Sequence, residues 1–404
     1  MGRAVRVLVV GICTRPLAWS ARRNGDADVV GLDYFGDRDQ REAGETYALE
    51  SDFGLPLTVD NLARAAATIH HDAVAYSASL ENHPDMVARL AGRAILLGNS
   101  PATLRRARHL PTLARVCRGA GITYPPTLLR HSPPQGEAWL HKPRLAGGGH
   151  GIRPWVDGDG PPRRGTALQR HISGRPISAT FVANGAQAVL VGLAEGLAGL
   201  SQFGASGYTY CGSIVPPGGA PGTWVALLPR LTGIVTALTR AFGLVGLNGV
   251  DLIAGPSEHD INLLEVNPRH SASMELIERL YGAPLFRWHV QAITERALPR
   301  FDLGAALRQR GDRWAKAIMY ARGALVVGDT TAWAAHGVRD VPHSHTAIPD
   351  GAPLCTVLYH GDGDNAALLD GLAERAAWVL QQGQLAPAWC GDRDDEQEAR
   401  HGAS

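Results

Sequence analysis

The chain has 404 residues, 45% of them hydrophobic and 19% charged, with a formal net charge of +1. This is the balance of a globular chain long enough for two or three domains, and it excludes a bulk electrostatic surface for nucleic acid or membrane. No apolar run approaches the ~18–20 residues of a membrane span. The five cysteines (Cys13, Cys117, Cys211, Cys355, Cys390) form no CxxC pair, so no disulfide framework or zinc site is expected and a cytoplasmic location is.

In chain order, Val5–Val10 reads as a buried strand, too short and too soon polar for a signal peptide. Helix Arg15–Arg23, strand Ala27–Asp33, helix Asn61–His70, strand Ala73–Tyr76, helix Pro84–Leu90 and strand Ala94–Leu97 follow. This alternation predicts a parallel sheet wrapped by helices, with ligands at the carboxyl ends of its strands. Pro101 opens a helix that Ser100 is placed to cap, and a second helix runs to Gly119–Gly121. From Trp139 to Leu200 the pattern becomes short strands with glycine turns. Helix Thr223–Ala241, the strand pair 247–255 and 261–267, and helices Met274–Tyr281 and Pro284–Ala297 come next. The last stretch is strand-rich, with a closing helix at Asn365–Gln381 and a charged tail after Gln382 expected to fray.

Of the 39 basic residues, 37 are arginine and two, Lys142 and Lys316, are lysine. A lysine that persists against this bias suits a task for a compact ammonium, such as touching phosphate. Lys142 follows a short strand and precedes Gly147, Gly148, Gly149 and Gly151. Glycines let the backbone fold closely over an anion, although a flexible hairpin turn gives the same pattern. It is not a Walker A loop, because the lysine precedes the glycines and no Gly-Lys-Ser/Thr follows. Lys316, in a strand of the C-terminal stretch, reads as a structural surface lysine.

The strand pair carries the second motif. If residue 255 pairs with 261, Asp251 stands opposite Glu265, and Asn267 shares their face. Two opposed carboxylates destabilise a ladder, and a divalent cation removes the conflict. A solvated polar face is the plainer alternative. Arg269 keeps the same parity and suits a phosphate or carboxylate. Val250, Leu252, Leu264 and Val266 are expected on the apolar face.

The order of these parts resembles the ATP-grasp superfamily, nearest to the predicted ATP-dependent carboligases related to biotin carboxylase. The resemblance rests on Asp33-Tyr34-Phe35-Gly36-Asp37, Glu81-Asn82-His83-Pro84, Lys142–Ile152 and Leu264–Ser273. It implies an N-terminal parallel βα domain (1–98), a small ATP-grasp subdomain (99–172), a large one (173–305) and a C-terminal strand-rich unit (306–404). It implies ATP and Mg2+ (or Mn2+) as cofactors, with Lys142 and Gly147, Gly148, Gly149 and Gly151 on the phosphates and Asp251, Glu265 and Asn267 on the metal. Lys142 and Arg269 would assist catalysis. An adenine hinge falls at Leu168–Ile172, assigning Gln169, Arg170 and Ile172, with glutamine where glutamate is usual and Pro176 where a ribose-binding glutamate is usual. The upstream phosphate lysine is replaced by one of Arg105, Arg106 and Arg108, a cluster that also reads as a solvated helix face.

The expected reaction is ADP-forming ligation of a carboxylate to an amine through an acyl phosphate, in a chain without nucleic-acid or membrane partners that forms a homodimer. Arg15, Glu81, Asn82 and the 202–212 loop are the candidate acceptor-site residues. One alternative is a biotin-carboxylase-like carboxylation subunit, which would need a separate biotin carrier because no Ala-Met-Lys-Met segment is present. A non-catalytic nucleotide sensor is another. A nicotinamide dehydrogenase fails because Gly11 is not followed by the rest of Gly-x-Gly-x-x-Gly.

Overall fold

The computed structural model describes residues 5–25, 27–255, 260–309, 311–382 and 386–387. The connection between the expected strands 247–255 and 261–267 falls largely outside them, as does most of the charged tail.

Strands Arg6–Val10, Asp28–Asp33, Thr46–Ala48, Ala73–Tyr76 and Ile95–Leu97 form a five-stranded, all-parallel sheet. Val7, Val9, Ala73 and Ala75 face one layer and Leu8, Val10, Val30 and Val74 the other, so both faces are buried and the strands read as apolar runs. Helix Arg15–Arg23 has the predicted bounds. Helices Arg38–Ala43 and Leu49–Phe53 were not foreseen. Ser100 does cap the next helix, its side chain accepting from the backbone N–H of Thr103.

A four-stranded sheet follows, ordered Thr127–Leu128, Thr166–Arg170, Trp139–Pro143 and Arg153–Pro154. Beyond it lies one eight-stranded sheet. Its centre is the antiparallel pair Arg175–Asn184 and Ala188–Ala198, of 10 and 11 residues, where only short strands were expected. The sheet runs from the Val245–Ala254 and Ile261–Asn267 hairpin at one edge to Arg313–Tyr320, Pro353–Gly361 and Val338–Arg339 at the other. The C-terminal strands therefore extend the sheet that carries the acidic hairpin.

Helix Pro221–Phe242 is apolar enough over its 22 residues to cross a membrane by length and composition, against the reading that no such run exists. It packs instead on the large sheet, burying Trp224, Leu227, Leu231, Ile234, Val235, Leu238 and Phe242 in the largest hydrophobic cluster. Gly243 ends it in the left-handed conformation, which glycine reaches without a Cβ penalty.

Lys316 is not a surface residue. It lies in Arg313–Tyr320, 3% exposed, with its Nζ 3.7 Å from Glu275. Burial of an ammonium demands a counter-charge, and the carboxylate on helix Met274–Tyr281 supplies it.

Candidate active site

The acidic hairpin positions the site. Asp251 pairs with Glu265 in the ladder, but by a different route from the expected register. Ile261 pairs with Ala254 rather than with residue 255, and a bulge beside Asp251 inserts one extra residue, Leu264, before Glu265. The bulge also corrects the expected apolar face. Leu263, not Leu264, enters the core with Val250, Leu252 and Val266, while Leu264 lines the cleft.

The hairpin's end is fixed to the parallel sheet. Tyr76 Oη donates to the carbonyl oxygens of Asn99 (3.0 Å) and Pro268 (3.2 Å). Asn99 Nδ2 donates to Asn248 Oδ1 at 2.8 Å and to the Pro268 carbonyl at 3.1 Å. These buried bonds set where Asn267 and Arg269 project, because a mispaired group here carries the desolvation penalty of an unmet hydrogen bond.

Asp251 and Glu265 lie against one another. Burial, and then Glu265, push the Asp251 carboxyl up to about 7. Burial also opposes the charge on Glu265, but Arg108 and Lys142 outweigh it and hold that carboxyl below the usual carboxylate range. Asn267 Nδ2 donates to Asp251 Oδ2 at 2.8 Å, leaving its amide oxygen toward Arg269 at 3.4 Å. Two carboxylates side by side match the oxygen donors that Mg2+ or Mn2+ takes, while the amide oxygen of Asn267 faces Arg269 and would have to turn to join them.

One cleft gathers Lys142, Gly147, Gly148, Gly149, Gln169, Asp251, Glu265 and Arg108. Lys142 is on strand Trp139–Pro143, and its Nζ donates to Gln169 Oε1 at 2.9 Å. Burial lowers its ammonium pKa, and Glu265 and Asp251 oppose that shift. Of the three upstream arginines, Arg108 enters the cleft, with Nη1 donating to Glu265 Oε2 at 3.0 Å and Nε to Asn82 Oδ1 at 3.0 Å. Arg105 pairs outward with Asp85, and Arg106 donates to the Ala241 carbonyl.

The glycine loop closes over this cleft. Tyr210 N–H donates to the Gly148 carbonyl at 2.8 Å. Gly149 has φ +72°, and a Cβ there would stand 1.9 Å from the Tyr208 carbonyl oxygen, so only glycine fits. The 202–212 stretch thus seats the loop. Gly151 also has positive φ, with the Pro143 ring 2.9 Å from its virtual Cβ.

Other expected residues differ in their contacts or their place. Gln169 is on Thr166–Arg170 and its oxygen is taken by Lys142, while Nε2 donates to Thr127 Oγ1 at 3.1 Å. It therefore supports the lysine, where an adenine contact was expected. Arg170 points outward to Glu137 at 3.4 Å, and neither it nor Ile172 lines the cleft. Arg15 is buried in an ion network, donating to both Glu275 oxygens at 2.9 Å and to Asp340 at 2.6 Å. These bonds use all three of its nitrogens, so it is not a free acceptor-site group. Glu81 and Asn82 do not line the cleft, but each touches a residue expected at the site. Glu81 Oε1 lies 2.9 Å from Arg269 Nη2, and Asn82 meets Arg108. Both residues are on the turn Leu80–Asn82 after the fourth parallel strand. Sequence reading missed His270, which is 6% exposed, with burial first and then Lys316 and Arg269 lowering its pKa to about 3.

Residues 112–273 match the sequence family described as the ATP-grasp domain. No curated protein matches the chain by sequence. Among solved structures, the biotin carboxylase–β,γ-ATP complex from Campylobacter jejuni is similar with a TM-score of 0.68 at 13% identity, over 94% of this chain and 95% of that one. The biotin carboxylase domain dimer of Hydrogenobacter thermophilus 2-oxoglutarate carboxylase, solved with MgADP, ADP and bicarbonate, gives 0.68 at 12% identity over 95% and 91%. Rhizobium etli pyruvate carboxylase, solved with acetyl coenzyme A, gives 0.68 at 15% identity over 95% of this chain. This chain spans 38% of that carboxylase's length. Residues 112–273 thus match the ATP-grasp domain, and nearly the whole chain shares the fold of biotin carboxylase.

Proposed function

We propose that this chain uses Mg-ATP to phosphorylate an oxygen of a carboxylate-type substrate, releasing ADP and a reactive mixed anhydride. The observation that carries this reading is the convergence of Lys142, Arg108 and the Asp251–Glu265 pair beneath the glycine loop. Lys142 and Arg108 offer fixed positive charge to the β- and γ-phosphates, and Arg269 offers it to the acceptor oxygen. Catalysis then comes from positioning and charge neutralisation, without a protein nucleophile. When bound, Mg2+ held by Asp251, Glu265 and Asn267 neutralises phosphate oxygens and orients them.

Two acceptors fit this chemistry. Fold similarity to biotin carboxylases along nearly the whole chain favours bicarbonate, phosphorylated ahead of carboxyl transfer to a biotin on another protein. The second acceptor is an organic carboxylate whose acyl phosphate is taken by an amine. It is supported by the buried Glu81–Arg269 pair next to the site, whose carboxylate would receive the proton of the nucleophile. A cytoplasmic location and a homodimer belong to the same proposal.

ADP and phosphate release measured with Mg-ATP and either bicarbonate plus biotin, or pools of carboxylates and amines, tests it. Bicarbonate-dependent ADP supports the first acceptor, and carboxylate- and amine-dependent ADP the second. AMP as product, or no stimulation by any acceptor, overturns the reading.

A further inference from the structure

Loops that follow the first two strands of the parallel sheet meet the C-terminal strands at the carboxyl end of that sheet, where ligands sit in such architectures. Cys13 follows strand Arg6–Val10, Asp37 follows strand Asp28–Asp33, and Asp340 follows the edge strand Val338–Arg339. Cys13 Sγ and one carboxylate oxygen each of Asp37 and Asp340 all lie within 4.8 Å of one another. None of the three residues lines the Lys142 cleft.

The surrounding bonds aim this set and leave one member unmet. Arg15 Nε donates to Asp340 Oδ1 at 2.6 Å, while its Nη1 and Nη2 hold Glu275. Asp39 accepts from the backbone N–H groups of Asp340 and Val341 at 3.3 and 3.0 Å, and Asp340 sits in the left-handed region at φ +52°. Cys13 Sγ donates to Asp340 Oδ1 at 3.4 Å. Asp33 accepts from the N–H groups of Thr14, Phe35 and Gly36 and from the Thr14 hydroxyl. Asp37 differs from its neighbours. It is 6% exposed, and among the described residues its carboxylate has no hydrogen-bond or ion-pair partner, although it stands at the start of helix Arg38–Ala43. The charge of Arg15 is already divided among Glu275, Asp340 and Asp39.

A buried carboxylate without a partner is costly, and a proton or a cation removes the cost. A proton would serve Asp37 alone. A cation serves Asp37, Asp340 and Cys13 together, because their ligating atoms already converge from three separate loops. The donor types select the ion. One thiolate with two carboxylates suits Zn2+, whereas Mg2+ takes oxygen donors. Donor atoms around Zn2+ stand about 3–4 Å apart, so small side-chain rotations bring this set to bonding distance. Arg15 then acts on a ligating carboxylate as the outer partner that fixes its orientation.

We propose that Cys13, Asp37 and Asp340 bind a Zn2+-type cation, with water in the fourth position, that clasps the N-terminal parallel sheet to the C-terminal strands. Binding replaces the S–H bond of Cys13 with a metal–sulfur bond, and the proton leaves to solvent. The site is separate from the one assigned to Mg2+ at Asp251 and Glu265, and it does not depend on the reaction proposed there. The scattered cysteines give no zinc pattern in the sequence, because this set uses one cysteine and an aspartate 327 residues away.

The test is titration of the chelator-treated full chain with Co2+, which takes Zn2+-type sites and absorbs in the near ultraviolet when a thiolate binds it. The expected result is a thiolate-to-metal band that saturates at one equivalent, that Zn2+ abolishes and that a large excess of Mg2+ leaves in place. Cys13→Ser should remove the band, and Cys117→Ser should keep it. Asp37→Asn, of nearly the same shape, should weaken Co2+ binding at least about tenfold, the low end of what losing even an outer partner of a metal site causes, with an unchanged circular dichroism spectrum. Zn2+ should raise the melting temperature of the unaltered chain and not that of Asp37→Asn. No thiolate band in the unaltered chain, a band that survives Cys13→Ser, full affinity in Asp37→Asn, or displacement by Mg2+ would each overturn the proposal.

Discussion

On the proposed function this molecule has a triphosphate end, the cleft of Lys142, Arg108 and Glu265, and an acceptor end, the buried Glu81–Arg269 cluster beside it, and the two are built differently. At the triphosphate end the charged groups already hold one another: Lys142 on Gln169, Arg108 on Glu265, Asn267 on Asp251. At the acceptor end Glu81, Asn82, Arg269 and His270 each keep a buried atom unmet. Pre-paired groups lose little freedom when a ligand arrives, which suits a cofactor shared by many reactions. Unmet groups discriminate, because a ligand lacking the right complement leaves them unpaired at full cost. On the proposed function, the first region would fix the chemistry and the second would select what undergoes it.

Perturbations at the two ends should separate along these lines. The largest effect is expected from Glu265→Ala, which removes one carboxylate and strands Arg108. ADP release should fall on the order of 10²–10³-fold in kcat. Full activity in that variant would sink the metal assignment. Lys142→Ala should weaken ATP by about 10–100-fold in calorimetry, the worth of a charge-assisted contact, and leave acceptor affinity alone. A matching loss of acceptor binding would show that the two ends are not independent.

Smaller effects test the roof. Gly149→Ala forces a Cβ against the Tyr208 carbonyl at positive φ and should cost about 1–3 kcal/mol in loop seating, seen as a raised KM for ATP. Gly147→Ala, whose nearest neighbour is Ser79 Oγ at 4.0 Å, should be nearly neutral. If the two variants behaved alike, loop closure on Tyr208 would not matter.

The smallest effect is titration. Asp251 is raised to about 7 in the folded chain, above its unfolded value near 3.9. Between those values the folded state binds more protons than the unfolded, so stability without a divalent ion falls as pH rises from about 4 to 7. Mg2+ needs the carboxylate ionised, so its binding near pH 6.5 should release up to about one proton, measurable in buffers of different ionisation enthalpy. Asp251→Asn should abolish both the slope and the released proton.

Much of the triphosphate end was legible because its signals are local. A lysine before four glycines and a carboxylate pair on one hairpin are read within short windows. The Asp251–Glu265 pairing came from an offset that was wrong by one residue and was restored by the bulge at Leu264, which no periodicity announces. Choosing Arg108 among three arginines required knowing that it ends its helix facing the hairpin, 157 residues away from Glu265. The acceptor end was legible only as names. Glu81 and Asn82 could be listed, but their pairing with Arg269 and Arg108 is a tertiary fact. Arg15 and Lys316 were misjudged for the same reason, since Glu275 neutralises both from a helix remote in sequence.

The scarcity of lysine has a practical side. The chain offers two side-chain amines, and one of them, Lys316, is shut away against Glu275. Lys142 is half-buried and lines the cleft. An acylating label given in brief, limiting dose would therefore mark essentially one side chain. Its rate of attachment would report whether the cleft is open or filled, in the unaltered protein and without an engineered probe.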